Sequence, residues 1–203
     1  MKQFYILFIL VFSSIQTAFA QTGYKDEMGR DVSKVYFEQQ ILEGPFFGIP
    51  DGEHGKILVH RMPFGKVDPL PFFAKTGNLK ALESGRSLIV IFYPGKDECN
   101  SSGAGDNSDS FSKEHKTLSK WAEKGDAAPP VYMYGNPHGL EKYGEEVTWI
   151  SDPEHIFQDQ FFKYPYPCGS FVIIHPSGEY RAILGGYPLS QVQVALKKLN
   201  RAN

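Results

Sequence analysis

The chain has 203 residues, 41% of them hydrophobic and 14% aromatic, and a formal net charge of −2. That is enough apolar material for one folded domain with its own core, and it excludes a disordered chain. A weakly acidic balance with no basic run excludes nucleic acid as the main partner.

The first stretch, "MKQFYILFILVFSSIQTAFA" (1–20), reads as an export leader. Lys2 supplies the positive start, "FYILFILVF" the apolar centre and "AFA" the small-x-small cleavage site before Gln21. The apolar centre is too short for an anchor and no stop-transfer charges follow it. No cysteine stands at the cleavage site, which argues against a lipid anchor. No later segment approaches the ~20 apolar residues of a membrane span. Loss of the leader leaves 183 of the 203 residues and, without Lys2, a charge of −3. The expectation is an exported chain, periplasmic or extracellular, with no membrane span.

Residues 21–30 are a polar lead-in. "DVSKVYFEQQILEG" (31–44) predicts a helix capped by Asp31 and stopped by Gly44, with Val32, Val35, Tyr36, Gln39 and Leu42 on its inner face. "GPFFGIPDGEHG" reads as a Gly/Pro loop. "KILVHRM" (56–62) predicts a strand. "PFGKVDPLPFF" carries three prolines and cannot be a central strand. "TGNLKALESG" (76–85) predicts a short helix.

"SLIVIFYP" (87–94) is apolar without alternation, the pattern of a strand covered on both faces. A polar loop (95–110) leads to an amphipathic helix over 110–125, with Phe111, Leu118, Trp121 and Ala122 on one side. Strands at 130–136 and 147–152 flank a short helix or turn. "PEHIFQDQFF" (153–162) predicts a helix with proline at its first position. "SFVIIHPSGEYRAILGG" (170–186) is the clearest hairpin signal, two apolar strands around a Pro/Gly turn. "PLSQVQVALKKLNRA" closes the chain as an amphipathic helix, with Lys197, Lys198 and Arg201 at its C-terminal end complementing the dipole. Alternating strands and helices predict an α/β sheet with parallel members, made mixed by the hairpin as an antiparallel edge.

From Lys80 onward, about 60% of the chain, this order resembles the thioredoxin-like superfamily, nearest to its exported thiol–disulfide redoxins and its peroxiredoxins. "SLIVIFYPGKDEC" resembles the strand that delivers a redox cysteine. "WISDPEHIFQDQFF" and "YPCGSFVIIHPSGEYRAILGGYPLSQVQVALKKL" are similar to later segments of that family. The resemblance implies a thioredoxin-like mixed sheet flanked by helices, with a leader (1–20), an N-terminal extension with a lead-in strand at 56–62 (21–75), and the thioredoxin-like domain (76–203). It implies protein thiols or disulfides as partners, with no cofactor and no metal. The chain departs from the family at instructive places. Where the family has Cys-x-x-Cys, this sequence reads "CNSS", with Ser102 at the second position. Glu98 replaces the aromatic before the first cysteine. Lys96 stands where peroxiredoxins have threonine or serine, and their late arginine is absent.

The candidate site is Cys99 with Cys168. Residues 94–110 hold Lys96 against Asp97, Glu98, Asp106 and Asp109, a net charge of −3 that opposes a thiolate at Cys99. With the helix starting near Ser110, its dipole lies too far from Cys99 to help. In the family, the proline before the late strand is commonly cis and lies against the redox cysteine. Pro167, or Pro165, in that role brings Cys168 to Cys99. The two cysteines are then a structural bridge closing a loop of about 70 residues, worth ~4 kcal/mol by chain entropy, or a non-standard redox couple, or two unpaired thiols. His54, His60, His115, His138, His155 and His175 are scattered and form no ligand spacing. Trp121 and Trp149 read as core residues. Two functions follow: an exported redox protein using Cys99 and Cys168, or a redox-inactive binding or scaffolding domain with a structural disulfide.

Overall fold

The computed structural model describes residues 22–101, 108–164 and 166–202. The expected leader, Ser102, Asp106 and Pro165 lie outside them.

The main sheet has six strands: β4 (Phe64–Lys66), β5 (Leu88–Tyr93), β6 (Val131–Tyr134), β7 (Trp149–Ser151), β8 (Ser170–Ile174) and β9 (Glu179–Ile183). Their order is β4-β9-β8-β5-β6-β7. β5, β6 and β7 run parallel, while β8 is antiparallel to β5 and β9 to β8. Helices α2 (Leu70–Lys75), α3 (Leu79–Glu83) and α5 (Ile156–Gln160) cover one face, α4 (Ser108–Lys124) and α6 (Ser190–Ala202) the other. The fold is the expected mixed α/β sheet flanked by helices.

The unbroken apolar run of β5 has a direct cause. Leu88, Val90 and Phe92 pack with Phe72, Met133 and Phe157 on one face, while Ile89 packs with Leu118, Phe171 and Leu196 on the other. A strand buried on both faces has no position for a polar residue. Each large side chain withdrawn from water contributes on the order of 2 kcal/mol before chain entropy is subtracted.

Within the expected extension, residues 23–60 fold as a second sheet: β1 (Gly23–Lys25), β2 (Phe46–Asp51) and β3 (Gly55–His60), in the order β1-β3-β2, under helix α1 (Lys34–Glu43). Here the structure corrects four expectations. First, the helix starts at Lys34 with Ser33 as its cap, accepting from the Tyr36 N–H at 3.2 Å. Asp31 instead bridges to Lys25 beside β1. Second, Phe37 is the buried contact of α1, against Tyr24, whereas Val35, Tyr36 and Leu42 face water. Third, 46–51 is a strand and not a loop. Pro50 is tolerated because β2 is an edge. Fourth, the expected lead-in strand at 56–62 belongs to this small sheet, and Phe64–Lys66 edges the main one. The closing hairpin is therefore not an edge, because β4 covers β9.

Arg61 joins the two sheets. Its backbone carbonyl accepts from the Leu184 N–H at 2.8 Å, and its Nη2 donates to the carbonyls of Gly185 (2.7 Å) and Gly186 (2.9 Å).

Candidate functional site

β5 ends at Tyr93, and Pro94-Gly95 turns the chain out of the sheet into the segment carrying Cys99. Asp97 and Asn100 lock that segment into a tight turn. The Asn100 N–H donates to Asp97 Oδ1 at 2.7 Å, and the Asp97 N–H donates to Asn100 Oδ1 at 3.1 Å. Asn100 Nδ2 reaches back to the Gly95 carbonyl at 2.8 Å. The second oxygen of Asp97, Oδ2, accepts from the backbone N–H of Cys168 at 2.9 Å. Cys99 and Cys168 form a disulfide across 69 residues, with Cα atoms 5.0 Å apart, inside the range such bridges require. Of the three readings left open by the sequence, two unpaired thiols is overturned.

Cys168 reaches this position by a route other than the expected one. No peptide bond among the described residues is cis, so Pro167 is not a cis-proline. The chain bends instead through positive φ at Cys168 (70°) and Gly169 (142°). A non-glycine residue on that side costs on the order of 1–3 kcal/mol, which the surrounding contacts must hold in place. Gly186 lies directly opposite. Its N–H donates to the Gly169 carbonyl at 2.9 Å, and a Cβ there would stand 3.2 Å from Cys168 Sγ. At Gly185, whose φ is 62°, a Cβ would meet the Phe47 ring of the extension at 2.9 Å. Both glycines are needed for this close approach. The Arg61 guanidinium grips their carbonyls and lies over the Phe47 ring, 4.4 Å from its centre. The extension thus buttresses the turn that presents Cys168.

The two sulfur-bearing residues differ in access. Cys99 is exposed and Cys168 is half-buried. The local acidity read from the sequence is partly countered by a residue that sequence reasoning missed. The ammonium of Lys142 donates to the Asn100 carbonyl, next to Cys99, and lies over the rings of Tyr143 (4.9 Å) and Tyr93 (5.7 Å). Burial holds its pKa below the usual lysine value, while Asp97 and Glu141 pull the other way. Lys142 sits in a short 3-10 helix, Leu140–Tyr143, 43 positions from Cys99. Nothing local in the sequence links the two.

Behind the disulfide lies a cavity of about 200 Å³ between α4, the ends of β5, β6 and β7, and the Cys168–Gly169 turn. Tyr93, Phe111, Tyr132, Tyr143 and Trp149 contribute rings to its wall, and Glu114 a carboxyl. Burial pushes the Tyr143 phenol up to about 12 and Tyr132 higher still. His115 Nδ1 is 2.9 Å from the Tyr132 hydroxyl. Trp121 and Trp149 both pack against the core, and the Trp149 indole N–H is buried without a partner among the described residues.

The remaining histidines do not converge. His155 and His175 pair with Gln158 and Ser177 beside them in sequence. Among the described residues no group of three or more His, Cys, Asp or Glu side chains is placed to hold a metal ion. None of the described helices is long and apolar enough to cross a membrane.

No protein-family model matches the chain, and no curated protein matches it. Among solved structures it is similar to a secreted disulfide oxidoreductase of Mycobacterium tuberculosis homologous to E. coli DsbE. The identity is 13% and the TM-score 0.35, over 56% of this chain and 82% of that one.

Proposed function

We propose that this is an exported thiol–disulfide redox protein whose working pair is Cys99 and Cys168. The observation that carries the reading is that the two cysteine segments are held together by bonds other than the disulfide. Asp97 ties the Cys99 turn to the Cys168 backbone, and Arg61 and Gly186 fix the Cys168 turn from the other side. Opening the S–S bond leaves that frame standing, so the pair can close again. The chemistry is ordinary exchange. A thiolate of a partner attacks the exposed Cys99 sulfur, the S–S bond breaks, and Cys168 leaves as a thiolate that takes a proton. A second partner thiolate then attacks the mixed disulfide and releases Cys99. The partner gains a disulfide and this protein becomes a dithiol. The reverse reaction reduces a partner.

A structural bridge in a binding domain is the second reading. It is favoured by the Asp97 carboxylate beside Cys168, since a nearby anion opposes a thiolate.

Trapping separates the readings. The Cys168→Ser variant, offered an aromatic disulfide, should form a mixed disulfide at Cys99. The Cys99→Ser variant should react at least tenfold more slowly, because Cys168 is half-buried. Equal rates, or no reaction at Cys99, contradict the redox reading.

A further inference from the structure

We propose that the cavity behind the disulfide binds a small organic ammonium cation, with ring faces around it and the Glu114 carboxylate as its counter-charge. The cavity borders Cys168, but the proposal does not rest on the exchange chemistry.

The wall is chemically one-sided. Tyr93, Phe111, Tyr132, Tyr143 and Trp149 bring five aromatic rings to about 200 Å³. That is below the roughly 300 Å³ at which drug-sized ligands begin, so the occupant is small. Among the described residues Glu114 is the sole carboxylate in the lining and no lysine or arginine lines it, while His115, also in the lining, has its Nδ1 2.9 Å from the Tyr132 hydroxyl. Glu114 makes no ion pair among the described residues. An aromatic face is negative and attracts cations, most strongly where water is displaced. An anionic ligand would meet Glu114 and those faces together. A purely neutral ligand would gain nothing from the carboxylate.

Lys142 shows that these rings accept a cation. Its ammonium already lies over Tyr143 and Tyr93 without lining the cavity. Asp97 and Glu141 act on its charge against the larger effect of burial. Burial raises the Tyr132 and Tyr143 phenols further above neutral pH, so neither brings a negative charge to the site. Glu114 keeps its carboxyl in reach of solvent, and partial burial raises its pKa above the usual glutamate value.

The test is calorimetric titration of the oxidised full chain with choline and with 3,3-dimethylbutan-1-ol, which has the same shape without the charge. The expected result is saturable choline binding at least tenfold tighter than that of the alcohol. Glu114→Gln should weaken choline at least fivefold, and Glu114→Asp should restore part of the loss. Phe111→Leu, which removes one ring and keeps an apolar filler, should also weaken choline. Absence of saturable choline binding, equal binding of the alcohol, or full affinity in Glu114→Gln overturns the proposal. Because the titration uses the closed disulfide, its failure says nothing about exchange at Cys99, and the reverse holds too.

Discussion

The Asp97 carboxylate accepts the Cys168 backbone N–H at 2.9 Å while its other oxygen holds the Asn100 N–H at 2.7 Å. One side chain therefore grips both segments that carry a cysteine. A charge-assisted bond of this kind is about twice as strong as a neutral one. It persists when the sulfurs part. Asp97→Ala should make the pair easier to reduce, raising its potential by about 30 mV, the equivalent of a tenfold loss in closure. Asp97→Asn, with one acceptor oxygen left, should fall between. Thiol trapping across a glutathione series measures both. An unchanged potential in Asp97→Ala would show that the tie does not set the pairing.

Removing both cysteines tests how much the fold depends on the bridge. Chain entropy assigns about 4 kcal/mol to a loop of this size. The double Cys→Ser variant should lose roughly 10 °C in Tm. It should still unfold cooperatively, because the two cores on either side of β5 contain neither sulfur. Loss of a cooperative transition would contradict this division.

Arg61 couples the extension to the Cys168 turn through the Gly185 and Gly186 carbonyls. Arg61→Ala should destabilise the chain by about 2–3 kcal/mol through loss of charged hydrogen bonds. Arg61→Lys should recover little, because a lysine cannot reproduce the planar contact over Phe47. Denaturant midpoints of the two variants decide it, and full rescue by lysine would count against the planar contact.

Asp26 gives a prediction with a definite sign in pH. It is buried, and its carboxyl is held below the usual aspartate value, first by the Arg30 backbone N–H, against the opposing effect of burial, and then by the Arg30 guanidinium and the Met28 N–H. A depressed carboxylate stabilises the fold fully above its unfolded pKa of about 3.9 and stops doing so as pH falls through its folded value. Asp26→Asn should therefore be less stable than the parent at pH 7, and the gap should close towards pH 2. A gap that stays constant with pH would mean the carboxylate charge contributes nothing.

The sequence was informative where local pattern and structure coincide. β5 could be read from its unbroken apolar run, the β8–β9 hairpin from "HPSGE" between apolar strands, and α6 from its stripe of Val192, Ala195, Leu196 and Leu199. The extension misled because its signals conflict. Val35 and Leu42 repeat at helical spacing, yet Phe37 is the side chain that α1 buries. β2 was hidden by its Gly and Pro, which an edge strand can carry. Cys99 and Cys168 were brought together in space only through family resemblance, and Pro167, the residue expected to be cis, is not. Asp97, Lys142 and Arg61 act across 71, 42 and 124 positions. Contacts that long leave no periodic trace.

The reduction potential of the Cys99–Cys168 pair bears most directly on the proposed redox role. Thiol trapping of the full chain across a graded glutathione series yields it in one titration. A working couple predicts a value between about −120 and −270 mV, where known exchange proteins operate. A value below about −300 mV, out of reach of exchange partners, would contradict it and leave the disulfide as a structural bridge.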